Sequence, residues 1–487
     1  MTSTFHGLEL GKRALYAQQA ALSTTGQNIA NANTAGYTRQ RAEMQATNAL
    51  PAPGMNNGTS PAQLGTGVEV NKLVRLREDY LDVQYRGENK NLGYWEAKSD
   101  TLSKVEEIMN EPSDTGLANS MDEFWNAWQE LAKNPDSSAV RAVLRQRGVA
   151  LADTFNQFAN SLDQMQTDLK NVIETKTSEI NSLATQVASL NDQISRIVPN
   201  NYQPNDLYDQ RDLLLDQLSK LVDVKVSAPS ATGMVNVSVG GELLVSGQKA
   251  DKLTIGYSST ADGTETVTNV QIGDKTIKLE SGELLGRLES FGVDGKGTLP
   301  DYKNKLNQLV AGFVNAVNTV HNNGQNLVVT NGGVVTQSAQ GVDFFTGTTA
   351  KDIQVNAAIM NSLDLIAAAK EEANGTSSTG NGQNAQEMAD LKSKPLPGMT
   401  STAADFYSNM IGQLGIDSQQ ASRMQENSEV IINQVENRRQ SVSGVSLDEE
   451  MANMIKYQQA YNAAARVVNV MDECLDKIIN GMGRAGL

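Results

Sequence analysis

The stretch SVSGVSLDEEMANMIKYQQAYNAAARVVNVMDECLDKIINGM, from residue 441 to residue 482, predicts a long helix near the end of the chain. Eleven positions of this stretch step by four and three, and nine of them are apolar, which is typical of a helix that packs along one partner helix. The positions that form this seam include Leu447, Met451, Met454, Tyr461, Val468, Leu475 and Ile479. Ser446 supplies an N-cap, and Glu449 completes a capping box three residues later.

A second seam of this kind lies at the other end of the chain. Leu8, Leu15, Leu22 and Ile29 recur every seven residues, with alanines between them, and predict a helix from about residue 5 to residue 30. The helix should stop in NIANANTAGY, because Asn28, Asn31, Asn33 and Gly36 favour turns over helix. Each seam can pack against the other or against copies of itself, and we interpret both helices as assembly elements, because such a pair buries too little surface to be stable alone.

The interior of the chain holds longer helices. From Leu151 to Ile197, thirteen of fourteen positions in a four-three rhythm are apolar, with one shift near Lys176 that we interpret as a change in winding and not as the end of the helix. Further helices are predicted at 206–222 and 402–440. Trp125 and Trp128 are expected to anchor the core of this helical layer.

Between about residues 223 and 400 short alternating strands replace the helical period, with one helix from Tyr302 to Asn323. A low-complexity stretch from Ala373 to Gln386 reads as a surface loop. Residues 36–80 read as extended chain with a hairpin. The predicted fold is therefore mainly α with a β-rich middle, in an elongated multidomain chain: 1–35 with 445–487 as a terminal coiled-coil region, 36–222 with 401–444 as a helical bundle, and 223–400 as outer β-rich domains.

Composition excludes several classes of protein. The net charge is 40 − 56 = −16, and no clustered basic surface that could bind nucleic acid is visible. The single cysteine, Cys474, excludes an intrachain disulfide and a thiolate zinc site, and we expect it to be a small residue beside the seam. The two histidines, His6 and His321, lie in no recognisable catalytic setting. We therefore predict no catalytic site, metal or cofactor.

Targeting signals of the usual kinds are also missing from the sequence. The first 23 residues contain no apolar run of seven or more, and no stretch approaches the ~18 apolar residues that span a bilayer. We expect a protein that does not insert into a membrane, and that is either cytoplasmic or exported by a route that does not read a hydrophobic signal.

Two of these stretches also resemble a known family. NIANANTAGYTRQ, from Asn28 to Gln40 and including Tyr37, is similar to the N-terminal signature of the bacterial flagellar axial proteins, which are the rod, hook and hook-associated proteins. The stretch from Ser441 to Glu473 and the central DLYDQRDLLLDQLSKLVDVKV resemble the hook-associated protein 1 family, whose members form the first hook–filament junction. One departure is Ala35, where these proteins commonly carry a proline that makes the turn more rigid.

The resemblance implies a non-enzymatic structural subunit that the flagellar type III apparatus exports from the cytoplasm to the hook–filament junction outside the cell. It implies a paired coiled coil of the two terminal helices, a ring of copies of the chain, contacts with the hook protein and with a second junction protein, and a cytosolic chaperone on the C-terminal helix. Two alternatives remain. The chain could be another axial protein, of the hook or distal rod, or a helical secreted effector or adhesin that uses flagellar export.

Overall fold

The computed structural model describes residues 5–49, 64–111, 113, 116–259, 265–329, 335–371 and 377–481, with backbone only for 328, 329, 335–340 and 481. Long helices dominate it. They are α1 (His6–Ala30), α2 (Asp79–Met109), α3 (Leu117–Lys133), α4 (Ser138–Ile197), α5 (Asn205–Leu221), α6 (Glu283–Phe291), α7 (Thr298–Asn322), α8 (Ala357–Asn361), α9 (Gln383–Asp390), α10 (Ala403–Ser443) and α11 (Leu447–Gly481). The predicted terminal helices and the predicted helices at 206–222 and 402–440 are confirmed within a few residues.

The strands form small antiparallel sheets. They are β1 (Gln40–Ala46), β2 (Val68–Arg75), β3 (Val224–Val226), β4 (Val237–Val239), β5 (Glu242–Ser246), β6 (Lys249–Ala250), β7 (Leu253–Ser259), β8 (Glu265–Ile272), β9 (Lys275–Ile277), β10 (Gln325–Val329), β11 (Val335–Gln340), β12 (Phe345–Thr346) and β13 (Gln354–Val355). Strands β3 to β6 form one sheet and β7 to β9 another, while β1–β2, β10–β11 and β12–β13 pair as two-stranded ribbons. The hairpin expected within residues 36–80 is the β1–β2 pair.

Helix α4 is the central structural element of the molecule. Its 60 residues pass Lys176 without a break, and Leu151, Phe155 and Ile180 on its apolar stripe are fully buried. Two asparagines in its second half hold the sheets: Asn181 exchanges two hydrogen bonds with the backbone of Leu253, and Asn191 binds the backbone of Val235. Both sheets are therefore fixed to the same helix.

An aromatic cluster forms the core at the start of α4. Trp125 and Trp128 are 4% and 0% exposed, which confirms their predicted role as core anchors. Phe124, Phe313 and Phe344 pack edge to face or tilted around them, with ring centroids 5.2 to 6.3 Å apart. Such pairs add to the free energy gained from burial alone.

The middle of the chain is more helical than the sequence indicated. The expectation of one helix between residues 223 and 400 is wrong, since α6, α7, α8 and α9 all lie there. Part of the expected surface loop from Ala373 to Gln386 is also helical: residues 372–376 lie outside the described part, but α9 begins at Gln383 and buries Asn384 and Ala385. Three of the four helices have fewer than ten residues, too short for a helical period to be recognised.

His321, which had no role in the sequence analysis, is a fully buried core residue at the end of α7. Its Nδ1 donates to the carbonyl of Val342, and its Nε2 accepts the backbone N–H of Ala367 at 3.0 Å. Burial lowers its pKa from 6.5 to about 4, and the neighbouring Arg141 acts in the same direction, so the ring is neutral in the folded protein at neutral pH.

We expect the folded state to lose on the order of 3 kcal/mol of unfolding free energy as the pH falls from 6.5 to 4. In this window the unfolded chain binds a proton at His321 and the folded chain does not, so protons favour unfolding. Urea unfolding across this window, in the parent protein and in His321→Gln, measures the difference. Equal pH slopes for the two proteins would contradict the assignment.

Candidate functional site

Helices α1 and α11 lie side by side and run antiparallel. Gly7 lies against Met471, Gly11 against Val468, and Asn28 against Glu450, so positions that rise along α1 meet positions that fall along α11. A Cβ atom added at Gly11 would lie 2.6 Å from Val468 Cγ2, with the backbone of Ala464 at 3.8 Å. The absence of side chains at these glycines is what allows the two helices to approach so closely.

Small residues, and not the predicted leucines, are the most buried part of α1. Gly11, Ala17, Ala21, Thr24 and Thr25 are buried there. Leu8, Leu15, Leu22 and Ile29 are only half-buried, as are Met454, Val468 and Leu475 of α11. The structure thus leaves the predicted seam residues half-buried or exposed, although Val468 itself packs against Gly11.

Many apolar side chains of the helix pair are exposed. On α11, Leu447, Met451, Tyr461 and Ile479 from the predicted seam are 49%, 51%, 36% and 67% exposed, and Ile455, Val467, Val470 and Ile478 are exposed as well. Tyr16 of α1 is also exposed. Such a concentration of exposed apolar side chains marks an interaction site.

A junction formed by Asn28, Tyr37, Arg39, Gln40 and Glu450 joins the helix pair to the rest of the molecule, and Asn28 lies at its centre. Its side chain is buried, its Nδ2 donates to the carbonyl of Gln40 at 2.8 Å and to Glu450 Oε2 at 3.0 Å, and its Oδ1 accepts from the Tyr37 hydroxyl and the backbone N–H of Gln40. Burial, followed by the carboxylates of Asp206, Asp209 and Glu450, raises the pKa of Tyr37 to about 12, so its hydroxyl stays protonated as a donor. One side chain thus ties together α1, the following turn, β1 and α11.

The other residues of the predicted turn have smaller roles. Asn31 accepts from the Thr34 hydroxyl, and Asn33 is exposed. Gly36 has φ +78°, and a Cβ there would lie 3.2 Å from the side chain of Leu213 on α5, so the turn needs both the left-handed conformation and the free space. The structure brings Asn28, Gly36 and Tyr37 into the junction and leaves Asn33 at the surface.

Arg39 binds the start of α11 to this junction. Its guanidinium binds Glu450 Oε1 at 2.7 Å and Glu449 Oε2 at 2.6 Å, and its backbone N–H donates to the carbonyl of Ser443 at 2.9 Å. The Glu450 side chain is 2% exposed, so the guanidinium supplies the positive charge that the buried carboxylate requires. Glu449 also donates its backbone N–H to the Ser446 hydroxyl at 3.5 Å, at the predicted N-cap.

A second network of charges fixes the junction to the helical bundle. Asp209, Asp212 and Asp216 share one face of α5. They bind Arg75 of β2, Arg77 between β2 and α2, Arg86 of α2 and Arg439 of α10. Burial alone would raise the pKa of Asp212, but the three guanidinium groups of Arg75, Arg77 and Arg86 hold it below its usual range. The Asp212 carboxylate is therefore charged, and the ion pairs of this network hold α2, α5 and α10 together.

The residues that the structure describes show no arrangement suited to binding a metal ion or to crossing a membrane. Among them, no group of three or more His, Cys, Asp or Glu side chains is arranged to hold a metal ion, and no helix has the length and apolarity to cross a membrane. Cys474 is exposed on α11. The features that stand out are the apolar helix pair and its polar junction.

Comparison with known proteins assigns this architecture to a family. Over 517 aligned residues, which cover both chains completely, the chain is 41% identical to Flagellar hook-associated protein 1 of Bacillus subtilis. The chain belongs to the flagellar hook-associated protein 1 family. Hook-associated proteins 1 of Salmonella typhimurium and Escherichia coli are 27% and 29% identical, with 96% of this chain and 98% of each relative covered.

Family models and a solved structure agree with this membership in the hook-associated protein 1 family. A model described as the Flagellar hook-associated protein FlgK helical domain matches residues 102–345. The structure of the flagellar hook junction protein FlgK from Burkholderia pseudomallei has a TM-score of 0.60 at 15% identity and covers 74% of this chain and 100% of its own, which shows a shared fold. The chain is thus a structural protein of the bacterial flagellum and not a member of a known enzyme family.

Two further models match the terminal regions of the chain. A Flagella basal body rod protein model matches residues 8–38, which comprise nearly all of α1 and the turn after it. A Flagellar basal body rod FlgEFG protein C-terminal model matches residues 437–481, which comprise α11 and the end of α10. The helix pair and the turn beside it are therefore the regions that resemble rod proteins.

Several junction residues were missed by sequence reasoning. Asp209, Asp212 and Asp216 lie in the helix predicted at 206–222, and their spacing of three and four places them on one helix face, but no role was predicted for them. Arg39 and Glu450 are 411 residues apart, and no local pattern connects them. The unused signal was the regular spacing of the aspartates on a predicted helix.

Proposed function

We propose that the chain is the subunit that forms the junction between the flagellar hook and filament. The observation that carries this proposal is the 41% identity over the full length of both chains to a protein named Flagellar hook-associated protein 1. The exposed apolar side chains of α1 and α11 support it, because a protein without partners would not keep so many apolar side chains exposed to water. The localisation proposed is the outside of the cell at the hook–filament junction, after a cytoplasmic stage.

The proposed assembly is a ring of copies of this chain, joined through the α1–α11 pair. Leu8, Leu15, Leu22 and Ile29 and the α11 residues Leu447, Met451, Met454, Tyr461, Val468, Leu475 and Ile479 would then serve contacts between copies as well as contacts within the pair. Their partial or full exposure in the single chain leaves them available. The hook protein and a second junction protein would lie on either side of the ring.

We also propose export through the flagellar type III apparatus, with a cytosolic chaperone on α11 before export. The exposed apolar residues of α11 support this, since they need cover in the cytoplasm before assembly. The proposed domains are 1–35 with 445–487, 36–222 with 401–444, and 223–400. The break between α10 and α11 at Gly444 and the packing of α10 along α2 support these limits.

Deletion of the gene in its motile host tests the proposed function. Electron microscopy of the cells should show intact hooks without filaments, and the medium should contain unpolymerised flagellin. Normal flagella would contradict the junction function and would favour a secreted effector or adhesin. Missing hooks would favour a hook or rod protein.

Charged substitutions on the helix pair test the proposed assembly surface. We expect Leu15→Asp with Val468→Asp to abolish incorporation into the flagellum, because two carboxylates would be placed on an apolar contact. The bundle and sheets should stay folded, as circular dichroism of the purified variant can show. Normal filament attachment in this double variant would contradict the proposal.

A further inference from the structure

We infer that a groove between α2 and α4 receives the outer face of α10 from a second copy of this chain. The inference rests on the proposed function, since it requires that copies of the chain assemble side by side. It concerns surfaces of the helical bundle, away from the α1–α11 pair.

The groove has an apolar floor and an acidic rim. Its volume is about 450 Å³, and its floor is formed by Leu169, which is buried, and by the half-buried side chains Ile108, Met165 and Val172. Lys104 and Arg287 also line the groove, and both pair with Asp100. Glu107 and Asp168 lie on the rim and are exposed, and neither forms an ion pair with another described residue. The groove is thus an uncovered apolar surface with free negative charge at its edge.

The outer face of α10 has the complementary properties. Ile416, Met424 and Ile431 are 59%, 37% and 42% exposed and repeat at intervals of eight and seven residues, so they form one stripe along the helix. Arg423 lies beside Met424, is exposed, and has no carboxylate partner among the described side chains. Gln413, Gln420, Asn427 and Gln434 on this face carry no charge, whereas Asp417 and Arg438 continue the seven-residue repeat of Met424 and Ile431. We call this face the α10 stripe.

A chain cannot fill its own groove with its own α10 stripe. Asp100, Lys104 and Glu107 of α2 line the groove, whereas the Glu106 carboxylate of α2 accepts a hydrogen bond from Ser418 of α10 at 3.0 Å. Glu106 and Glu107 are separated by about 100° around the helix axis, so α10 and the groove lie on different flanks of α2. The contact must therefore join two molecules.

A second copy is the occupant that fits these observations. The binding of an apolar helix face in an apolar groove is a common mode of recognition, in which apolar side chains at helical spacing enter the groove. In an acidic chain of net charge −16, the α10 stripe carries Arg423 and Arg438, which form no ion pair with another described residue, against the single carboxylate of Asp417. This excess of positive charge complements Glu107 and Asp168 on the rim. A contact between two different surfaces of the same chain is heterologous, and repetition of it generates a ring or a helix of copies.

Cross-linking in assembled flagella tests the inference. In the full-length chain with Cys474→Ser, Met424→Cys and Met165→Cys place one thiol on the α10 stripe and one in the groove. Treatment of isolated flagella with a short bismaleimide should give a ladder of covalent oligomers of this chain on a denaturing gel. A matched control replaces Met424→Cys by Glu429→Cys, which is exposed on another face of α10 and should give no ladder.

The outcomes separate the two proposals. If the variant is present in the flagella but gives no ladder, or is linked to a different protein, the inference is wrong and the junction function stands. If the parent chain is absent from the flagella, the junction function fails, and the inference fails with it.

Charge exchange gives a second test that needs no new thiols. Arg423→Glu should reduce the number of filaments about tenfold, because it brings like charges together across the contact. Adding Glu107→Arg and Asp168→Arg to that variant should restore filaments. A triple variant no better than Arg423→Glu alone would overturn the pairing.

Discussion

Gly11→Leu is expected to separate α1 from α11 and to leave cells without filaments. The Cβ atom alone would lie 2.6 Å from Val468 Cγ2, and the backbone of α11 is within 4 Å, so the remaining three carbons have no space unless the helices move apart. Val468 is β-branched and has little freedom to turn away. Electron microscopy of the complemented deletion strain measures filament number, and hydrogen exchange of the purified variant measures loss of protection in both helices.

Gly26→Leu is the matched control. Gly26 lies on the same helix, and a Cβ added there meets no atom within 4 Å. Both substitutions remove a helical glycine and raise helix propensity by a similar amount. Filaments should persist in Gly26→Leu, and equal loss in the two variants would show that close packing at Gly11 is not the cause.

Arg39→Met is expected to release α11 from the junction at a cost of about 3 kcal/mol. Methionine keeps much of the side-chain volume but leaves the Glu450 carboxylate, which is 2% exposed, with only the Asn28 amide as a partner. An uncompensated buried charge is much more unfavourable than the loss of a surface pair. Hydrogen exchange at the start of α11 gives the opening free energy directly.

Arg13→Met is the control for this prediction. Arg13 pairs with Glu9 at 3.3 Å one turn away on α1, and both side chains are more than a third exposed. Removal of such a pair should change stability by less than about 0.5 kcal/mol. A loss of similar size in the two variants would argue against a special role for the buried carboxylate.

The long helices could be predicted because their apolar stripes are long. The stripe of α4 covers most of its 60 residues, and the capping residues of α11 mark its start. The face that each terminal helix turns to its partner was harder to assign. The leucines of α1 repeat every seven residues, but the helices approach through Gly7 and Gly11, which a search for hydrophobic side chains overlooks.

The polar junction could be predicted only in part. The turn motif directed attention to Asn28, Gly36 and Tyr37, and all three lie in the junction. Its partners Glu450 and Asp209 are distant in sequence, and their pairing depends on how whole helices pack. The residues that neighbour a carboxylate in the sequence do not show whether its side chain will be solvated or buried against an arginine.

Helix α4 also has a mechanical consequence. At 1.5 Å per residue, its 60 residues extend about 90 Å. The aromatic cluster lies beside its first half and both sheets are attached to its second half, so an intact hydrogen-bonded rod connects the two ends of the molecule's body. We expect a torque applied to the bundle to reach the sheets along this continuous rod, so that the stiffness of α4 contributes to the resistance of the molecule to twisting.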